Sequence, residues 1–140
     1  MIHTGNVEAA YQVFLAVPEL DRYLSLQGFQ SRITEGTLVL VYEADDKAIG
    51  FKVGYPLNDD DFYSWLGGVV PEARQSGVAQ ALLDYQENWV RDQGYQRLSV
   101  KSMNRYPSML RFLIKNGYQI VHVENVGTDD ERIHFLKQLT

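Results

Sequence analysis

The feature that most constrains this chain is a predicted β-strand that runs directly into a turn and a long helix. The strand covers Phe62 to Val70, the turn runs from Pro71 to Ser76, and the helix begins at Gly77. Apolar residues recur at helical spacing as far as Gly94, a residue type that commonly ends helices. Strands that alternate with helices in this way are typical of domains in which helices pack on a sheet. The junction therefore predicts an α/β fold.

Hydrophobic periodicity predicts the elements on either side of this junction. Helical patterns cover the segments Asn6 to Ala16, Leu20 to Ile33 and Tyr106 to Asn116. Strand patterns cover the segments Thr37 to Tyr42, Ala48 to Tyr55, Arg97 to Lys101, Tyr118 to Val126 and Arg132 to Leu139. The tetrapeptide Ala44-Asp45-Asp46-Lys47 predicts a hairpin turn between the first two strands. No repeat or linker divides the sequence, so residues 1–140 are expected to form one domain.

The composition is that of an ordinary globular domain and excludes several classes of protein. The chain has 140 residues, of which 45% are hydrophobic and 22% are charged, close to the globular average. It has no cysteine, so disulfides, thiolate metal sites and cysteine nucleophiles are excluded. Its net charge of −5 argues against nucleic acid as the main partner, because phosphate neutralisation needs a basic surface.

The apolar runs and the N-terminal segment predict that no membrane is a partner. Runs such as Val13 to Val17 fall far short of the roughly 20 residues that cross a bilayer. The segment Met1 to Asn6 lacks a basic stretch followed by an apolar one, so no secretory signal is expected. Together with the absence of cysteine, these features fit a cytoplasmic protein.

The turn before the long helix predicts an anion-binding site. The first amides of a helix lack internal partners and carry the positive end of its dipole, so they bind phosphate well. Gly77 lets a phosphate approach the backbone, Ala79 is nearly as small, and Arg74 adds a mobile cation at the rim. The chain has neither a Walker lysine motif nor a dinucleotide glycine motif, so the alternative is a tight turn that needs glycine for steric reasons.

The run from Val69 to Leu83 resembles motif A of the GNAT N-acetyltransferase superfamily. The signature of that motif is Arg/Gln-x-x-Gly-x-Gly/Ala after a strand that ends near Val-x-Pro, and every signature position is met. Downstream, the segment Val100 to Asn104, a helix and then Asn116-Gly117-Tyr118 are similar to the next block of that family. The resemblance spans approximately Lys47 to Val123.

The resemblance implies a mixed, mostly antiparallel sheet flanked by helices, with a splayed central strand pair and acetyl-CoA as co-substrate. The amides from Gln75 to Ala79 are expected to hold the pyrophosphate, and the splayed strand end at Val69 is expected to bind the pantetheine arm. Asn104 is expected to contact the arm from the neighbouring strand, although it can also cap a helix. The implied cofactor-binding residues are Val69, Val70, Arg74, Gln75, Ser76, Gly77, Val78, Ala79 and Asn104.

Acetyl transfer by direct attack needs a base, an oxyanion donor and an acid. A backbone N–H near Val69 is the expected oxyanion donor. The tyrosine that the family places before its Gly-Phe pair is absent, because that position is Leu113. Tyr106 or Ser108 is the candidate acid in its place, with solvent as a third source of the proton, although Tyr106 can also be a packing residue at a helix start.

The base is open among several side chains. The candidates are Asp59, Asp60, Asp61, Tyr63, and His122 with Glu124, two residues that share one face of a strand. The alternative for the aspartate run is a solvated loop. His3 and His134 are separated from any ligand set in the sequence, so no metal is expected.

Taken together, the sequence favours an acetyl-CoA-dependent N-acetyltransferase that acts on a primary amine. The acceptor is expected to be a small-molecule amine or a peptide amine, and a homodimer is common among similar proteins. The alternative is a non-catalytic acyl-CoA-binding sensor or interaction module, which the loss of the tyrosine at Leu113 motivates. A scaffold that binds no phosphate and has an accidental glycine turn is the third hypothesis.

Overall fold

The structure is a computed structural model that describes residues 1–20 and 24–140. The described strands are β1 (Ile2–Thr4), β2 (Leu38–Ala44), β3 (Lys47–Pro56), β4 (Asp61–Val69), β5 (Arg97–Ser102), β6 (Gln119–Glu124) and β7 (Arg132–Gln138). The described α-helices are α1 (Val7–Ala16), α2 (Leu26–Ser31), α3 (Val78–Asp92) and α4 (Pro107–Lys115), and a short 3₁₀-helix covers Pro71–Ala73. These elements form the α/β fold that the sequence predicts.

The strands form one sheet in the order β1-β2-β3-β4-β5-β7-β6. Every neighbouring pair is antiparallel except β4 and β5, which are parallel. The parallel pairing of β4 with β5 begins at Asp61 opposite Arg97 and ends at Ser64 opposite Val100. Past that point β4 continues to Val69 without a partner on this side, so a gap opens in the middle of the sheet. This confirms the mixed sheet with a splayed central pair.

A β-bulge in β4 lies where the gap begins. Val53 of β3 is opposite Leu66, but Gly54 is opposite Ser64, so Trp65 is an extra residue in β4. A bulge bends its strand and increases the local twist. We therefore attribute the divergence of β4 from β5 to this single extra residue.

The two faces of the sheet carry separate apolar cores. Helices α1 and α2 cover one face with a cluster that includes Phe14, Phe29 and Phe51. Helices α3 and α4 cover the other face with a cluster that includes Leu82 and Leu113. The gap between β4 and β5 thus opens toward both helical layers.

Among the described helices none is long and apolar enough to cross a membrane.

Two element boundaries differ from the prediction, for local reasons. Helix α2 begins after Ser25, whose side chain accepts a hydrogen bond from the Gly28 amide at 3.0 Å, so it is shorter than the predicted Leu20 to Ile33 helix. Residues 21–23 of that prediction lie outside the described residues. Strand β6 ends before Asn125, because the positive φ of 52° at this residue breaks the extended conformation.

Candidate active site

The open side of β4 presents main-chain hydrogen-bonding groups to the gap. The Val70 amide donates to the Ile49 carbonyl of β3 at 2.9 Å. Alternate residues of an antiparallel strand direct their backbone groups to opposite sides, so Val69 and Gly67 direct theirs into the gap. The Arg74 Nε donates to the Val69 carbonyl from that side, at 3.1 Å. The gap is therefore lined on one side by peptide groups that no strand satisfies.

The turn between β4 and α3 collects a second set of free amides. Gln75 has φ 62° and Gly77 has φ 86°, so the backbone turns twice before the helix begins. Gly77 is the N-cap of α3 and no side chain caps the helix. The first backbone bond of the helix runs from the Ala81 amide to the Gly77 carbonyl, at 3.0 Å. In the part of the chain that the structure describes, the amides from Gln75 to Ala79 have no acceptor. Successive amides in such a turn form an anion-binding concavity.

Three residues expected to bind the cofactor have some of their groups committed elsewhere. The Val70 amide is used by Ile49 and its carbonyl accepts from the Ala73 amide at 3.0 Å, so Val70 offers a ligand no free backbone group. Hydrogen bonding through the Val70 backbone is therefore not favoured for the ligand. Ser76 donates its hydroxyl to the Ala73 carbonyl, which leaves only its amide for a ligand. The Val78 side chain is buried in the core against Gly50, so it too can contribute only its amide.

Arg74 is not the mobile cation that the sequence predicted. Its guanidinium pairs with both carboxylate oxygens of Glu19, at 2.8 Å and 3.0 Å, in addition to its bond to the Val69 carbonyl. The hydrogen bond from Arg74 lowers the pKa of the Glu19 carboxyl. Both side chains are about 40% exposed, so the pair contributes little to stability. Its effect is to neutralise Arg74 at the entrance to the gap.

The same glutamate contacts the other side of the entrance. The Tyr106 hydroxyl donates to the Glu19 carbonyl at 2.9 Å. Tyr106 is the residue before α4 and follows β5, whereas Arg74 follows β4. We call Glu19, Arg74 and Tyr106 the Glu19 bridge. It joins the two chain segments that leave the diverging strands, and it holds the hydroxyl of the candidate acid in a hydrogen bond.

Asn104 lies near this entrance but is held by a buried carboxylate. Its backbone and side-chain nitrogens donate to Glu131 at 2.6 Å and 3.0 Å, and the Gly127 amide donates to the same carboxylate at 3.1 Å. These bonds lower the pKa of Glu131. The N-cap of α4 is Tyr106, so the helix-cap alternative for Asn104 is wrong. The side-chain oxygen of Asn104 and the second N–H of its side-chain amide are left for a ligand.

Asp61, a candidate base, lies at the closed end of the strand pair. The Arg97 guanidinium bonds its carboxylate at 2.5 Å and 3.3 Å, and the Asn58 amide donates to it at 2.9 Å. The Arg97 bond holds the pKa of Asp61 below its usual value. At about 3.3 Å per residue, Asp61 is on the order of 25 Å along β4 from Val69. This ion pair and this separation do not favour Asp61 as the base, and Asp59 and Asp60 are exposed loop residues beside it.

Tyr63 faces a groove on the α1 and α2 side of the sheet. Burial raises its pKa to about 12, so the phenol stays protonated at physiological pH. A base must be deprotonated before it can accept a proton, so Tyr63 does not fit that role. Its ring lies 5.4 Å from the Lys101 ammonium and 5.5 Å from the Tyr55 ring. Tyr63 therefore serves as a wall of the groove.

The groove has a volume of about 340 Å³ and includes His134 in its lining. His134 lies between Ile133 and Phe135, which pack under α3 and α4, so its side chain points to the opposite face. It is opposite Lys101 on β5, the first β5 residue past the matched part of the strand pair. The imidazole Nε2 of His134 contacts the Glu124 carboxylate, and this bond lowers the pKa of Glu124.

His122 completes this cluster and corrects one expectation. It is opposite His134 in the β6 and β7 pairing, and the two ring centroids are 5.1 Å apart. Ligand atoms of His122, Glu124 and His134 all lie within 4.8 Å of one another. His134 is therefore close to other metal-binding side chains in the folded chain, although it is separated from them in the sequence. Cross-strand pairing brings them together, and no spacing within the sequence indicates it.

On the opposite face, two polar side chains that the sequence analysis missed lie under α3. Phe51 and Val53 belong to the α1-side core, so Lys52 between them points toward α3. Burial lowers the pKa of Lys52 to about 8, although the Glu87 carboxylate acts in the other direction. Gln86 is fully buried, and neither its side-chain oxygen nor its nitrogen has a partner among the described residues. The sequence does contain a signal for Lys52, which is a lysine at a strand position whose side chain points toward a helix-covered face of the sheet.

Comparison with known proteins decides which family this arrangement represents. The model of the Acetyltransferase (GNAT) family matches residues 7–118, which is most of the chain. The chain belongs to the GNAT family. Acyl transfer is therefore its enzyme class. Comparison of the GNAT chain with curated proteins gives no match.

Solved structures show that the whole GNAT chain has this fold. The ribosomal-protein-S18-alanine N-acetyltransferase from Escherichia coli superposes with a TM-score of 0.87 at 16% identity, over 100% of this chain and 94% of that one. An aminoglycoside 6′-N-acetyltransferase complexed with coenzyme A gives 0.82 at 15% identity, over 100% and 97%. A GNAT family acetyltransferase from Elizabethkingia anophelis with acetyl-CoA bound gives 0.78 at 15%, over 99% and 97%.

Proposed function

We propose that this GNAT chain is an N-acetyltransferase that transfers acetyl from acetyl-CoA to a primary amine by direct attack. The observation that carries the proposal is the gap beside β4, whose free main-chain edge leads into the free amides from Gln75 to Ala79. We call the free edge of β4 and these amides together the track. The amides from Gln75 to Ala79 suit a diphosphate, and the edge of β4 suits an extended chain with amide groups. Both are parts of the acetyl-CoA molecule.

The diphosphate binds at the turn and the pantetheine arm lies along β4. Amides at a helix N-terminus bind phosphate, and Gly77 leaves the space in front of them open, since a Cβ there would meet nothing within 4 Å. The pantetheine amides pair with Val69 and Gly67 in the manner of an added strand. Arg74 must leave the Val69 carbonyl for this pairing, and its guanidinium then faces the diphosphate.

The acceptor amine enters from the groove on the α1 and α2 side of the sheet. There His134, oriented by Glu124, takes a proton from the attacking amine. The amine nitrogen forms a bond to the thioester carbon, a gap-facing main-chain amide of β4 that the pantetheine arm leaves free stabilises the oxyanion, and the C–S bond then breaks. The E. coli and aminoglycoside neighbours are named for amine acceptors of a protein and of a small molecule respectively. A small-molecule amine or a peptide amine fits this groove.

Calorimetric titration with acetyl-CoA and an acceptor screen test this proposal. We expect micromolar binding of acetyl-CoA and CoA, and free-thiol release that depends on an amine. The screen should contain amino acids, polyamines, aminoglycosides and peptides with free N-termini. No binding of acetyl-CoA by folded protein would rule the function out.

A non-catalytic acyl-CoA sensor is the second candidate, and two observations favour it. Leu113 stands at the position of the family tyrosine and is 2% exposed, so it is a core residue without a hydroxyl. The Tyr106 hydroxyl is bonded to Glu19. A sensor would bind acetyl-CoA with the same affinity but release no thiol with any amine. The acceptor screen therefore distinguishes the two candidates.

A further inference from the structure

We propose that the Lys52 ammonium is the acid that protonates the departing CoA thiolate. This inference rests on the proposed function, because it assigns a group within the same site. It replaces Tyr106 as the candidate acid. It also accounts for a lysine on a face of β3 that otherwise packs into the core.

The position of Lys52 places its amine at the edge of the gap. Lys52 is opposite Gly67, which lies in the part of β4 that has lost its β5 partner. A Cβ on Gly67 would lie 3.4 Å from the Lys52 Nζ, so the amine lies directly over this glycine. Because Gly67 has no side chain, nothing separates the amine from the track along β4. A thioester at the inner end of that track therefore lies beside Lys52.

The surroundings of the amine supply no competing partner. Among the described residues Lys52 Nζ makes no hydrogen bond or ion pair within contact distance. Glu87, the carboxylate whose charge acts on the pKa of Lys52, accepts instead from Tyr118 at 2.8 Å and from Lys137 at 2.8 Å. The Lys52 proton is thus available to a ligand.

Gln86 provides independent evidence that a polar ligand group binds here. Its side-chain nitrogen is 3.0 Å from the position of a Cβ on Gly54, which lies two residues from Lys52 on the same face of β3. Both of its polar side-chain atoms are buried without a partner in the described structure. Buried polar groups are nearly always hydrogen-bonded in native proteins. The inner end of the gap is thus a polar environment that the protein alone does not satisfy.

Lys52 and the proposed base act from opposite faces of the sheet. Lys52 points toward α3, whereas His134 points into the groove on the α1 and α2 side. The sheet separates acid from base, so the proton that the amine loses and the proton that sulfur gains follow different routes. An acid and a base in direct contact would neutralise each other.

The proton and electron balance is simple. The amine lone pair forms the N–C bond, the carbonyl is restored, and the C–S bond electrons move to sulfur. A proton then passes from Lys52 Nζ to sulfur, giving free thiol and a neutral amine that water reprotonates. Burial lowers the pKa of Lys52 to about 8, close to the ordinary thiol value of about 8.5, and proton transfer is efficient between groups of matched pKa.

The test compares Lys52→Met and Lys52→Arg with wild type, and Lys47→Met serves as the matched control. Lys47 is an exposed lysine on the same strand. We expect Lys52→Met to lower kcat by about 100-fold, while the Kd for acetyl-CoA changes by less than about threefold. Arginine keeps the charge but does not release a proton at neutral pH, so Lys52→Arg should be equally slow. An acetyl thioester whose thiol has a low pKa needs no acid and should restore the rate of Lys52→Met.

The outcomes separate this inference from the proposed function. If wild type neither binds acetyl-CoA nor releases thiol, the proposed function fails. If wild type is active and Lys52→Met keeps its rate, only the role of Lys52 fails. If Lys52→Arg keeps the full wild-type rate, the role of Lys52 is electrostatic and it does not donate the proton. If the mass spectrum shows that Lys52 itself becomes acetylated, Lys52 accepts the acetyl group and is not the acid. Rescue by the activated thioester also proves that the variant is folded.

Discussion

Glu19 and Arg74 are 55 positions apart in the chain and meet at the entrance to the gap, where the glutamate neutralises the arginine expected to face the diphosphate. The same glutamate accepts from Tyr106 through its backbone carbonyl. In the proposed complex the Glu19 bridge competes with acetyl-CoA for two groups, the Arg74 guanidinium and the Val69 carbonyl. Removal of the Glu19 charge should therefore affect ligand affinity more than stability.

Glu19→Gln is expected to tighten acetyl-CoA binding by about threefold to tenfold. The substitution weakens the charge-assisted bonds to Arg74, which can then pair with the diphosphate. Titration calorimetry at low ionic strength measures the change. Glu35→Gln, at an exposed position, makes the same change in net charge and should leave the affinity unchanged. Weaker binding in Glu19→Gln would mean that Glu19 positions Arg74 for the ligand rather than withholding it.

Gly77→Glu is expected to weaken acetyl-CoA binding by more than 100-fold, because a carboxylate would occupy the anion site. Gly77→Ala is the matched control for backbone strain, since both variants place a side chain at φ 86°. That strain costs about 1 to 2 kcal/mol and should be the same in both. A Cβ at Gly77 meets nothing within 4 Å, so both variants should fold. Equal affinities for alanine and glutamate would remove this turn from the site.

His134→Gln is expected to lower kcat by about 100-fold at neutral pH, with little change in acetyl-CoA affinity. The substitution keeps a polar side chain in the groove but removes the base. Glu124→Gln, which leaves the imidazole without its carboxylate partner, should give a smaller loss. His3→Gln, at an exposed position on β1, is the control. If His134→Gln leaves the rate unchanged, His134 is not the base and solvent takes the proton instead.

Asp61→Asn is expected to reduce stability but not turnover. Arg97 holds the folded-state pKa of Asp61 below its usual 3.8, so the stabilisation is complete above pH 3.8 and is lost as the pH falls through the lowered value. Urea unfolding should show a loss of about 1 kcal/mol at pH 7 that shrinks as the pH falls through the lowered pKa of Asp61. Asp59→Asn is the matched control in the adjacent loop. A large fall in kcat would restore Asp61 as a candidate base.

Lys52→Met is expected to stabilise the protein at pH 7 while it slows catalysis. The folded-state pKa of about 8 lies below the usual 10.5, so folding disfavours the charged lysine. Below pH 8 wild type therefore loses stability relative to methionine, by about 1 to 3 kcal/mol. Between pH 8 and 10.5 wild type recovers this loss, and the difference between the two proteins should shrink. Urea unfolding at pH 7 and pH 10 measures it, and equal stabilities at pH 7 would show that Lys52 is solvated.

Features with local signals could be predicted from the sequence. The Asp45-Asp46 turn was predictable because aspartate tolerates positive φ, and both residues have it, at 52° and 63°. The turn at Gly77 was predictable because glycine also tolerates positive φ. Strand β1, with only three residues, is too short to show a pattern and was not predicted as a strand.

Contacts between distant segments could not be predicted in this way. The pairing of His134 with Glu124 depends on the register of β6 on β7, and a shift of one residue would direct these side chains to different faces. The Glu19 bridge depends on where the chain passes after α1, which no periodicity specifies. The capture of Arg74 by Glu19 and of Asn104 by Glu131 likewise requires the folded chain.

The extra residue at Trp65 has a consequence for how the family diverges. If one bulge opens the sheet and peptide groups line the opening, then few side-chain identities are needed to keep the cleft. Substitution elsewhere is limited mainly by the volume and polarity of the two cores. Chains that share only 15% or 16% of their residues with this one superpose on it with TM-scores of 0.82 and 0.87. A cleft lined by peptide groups can then persist while the side chains around it change.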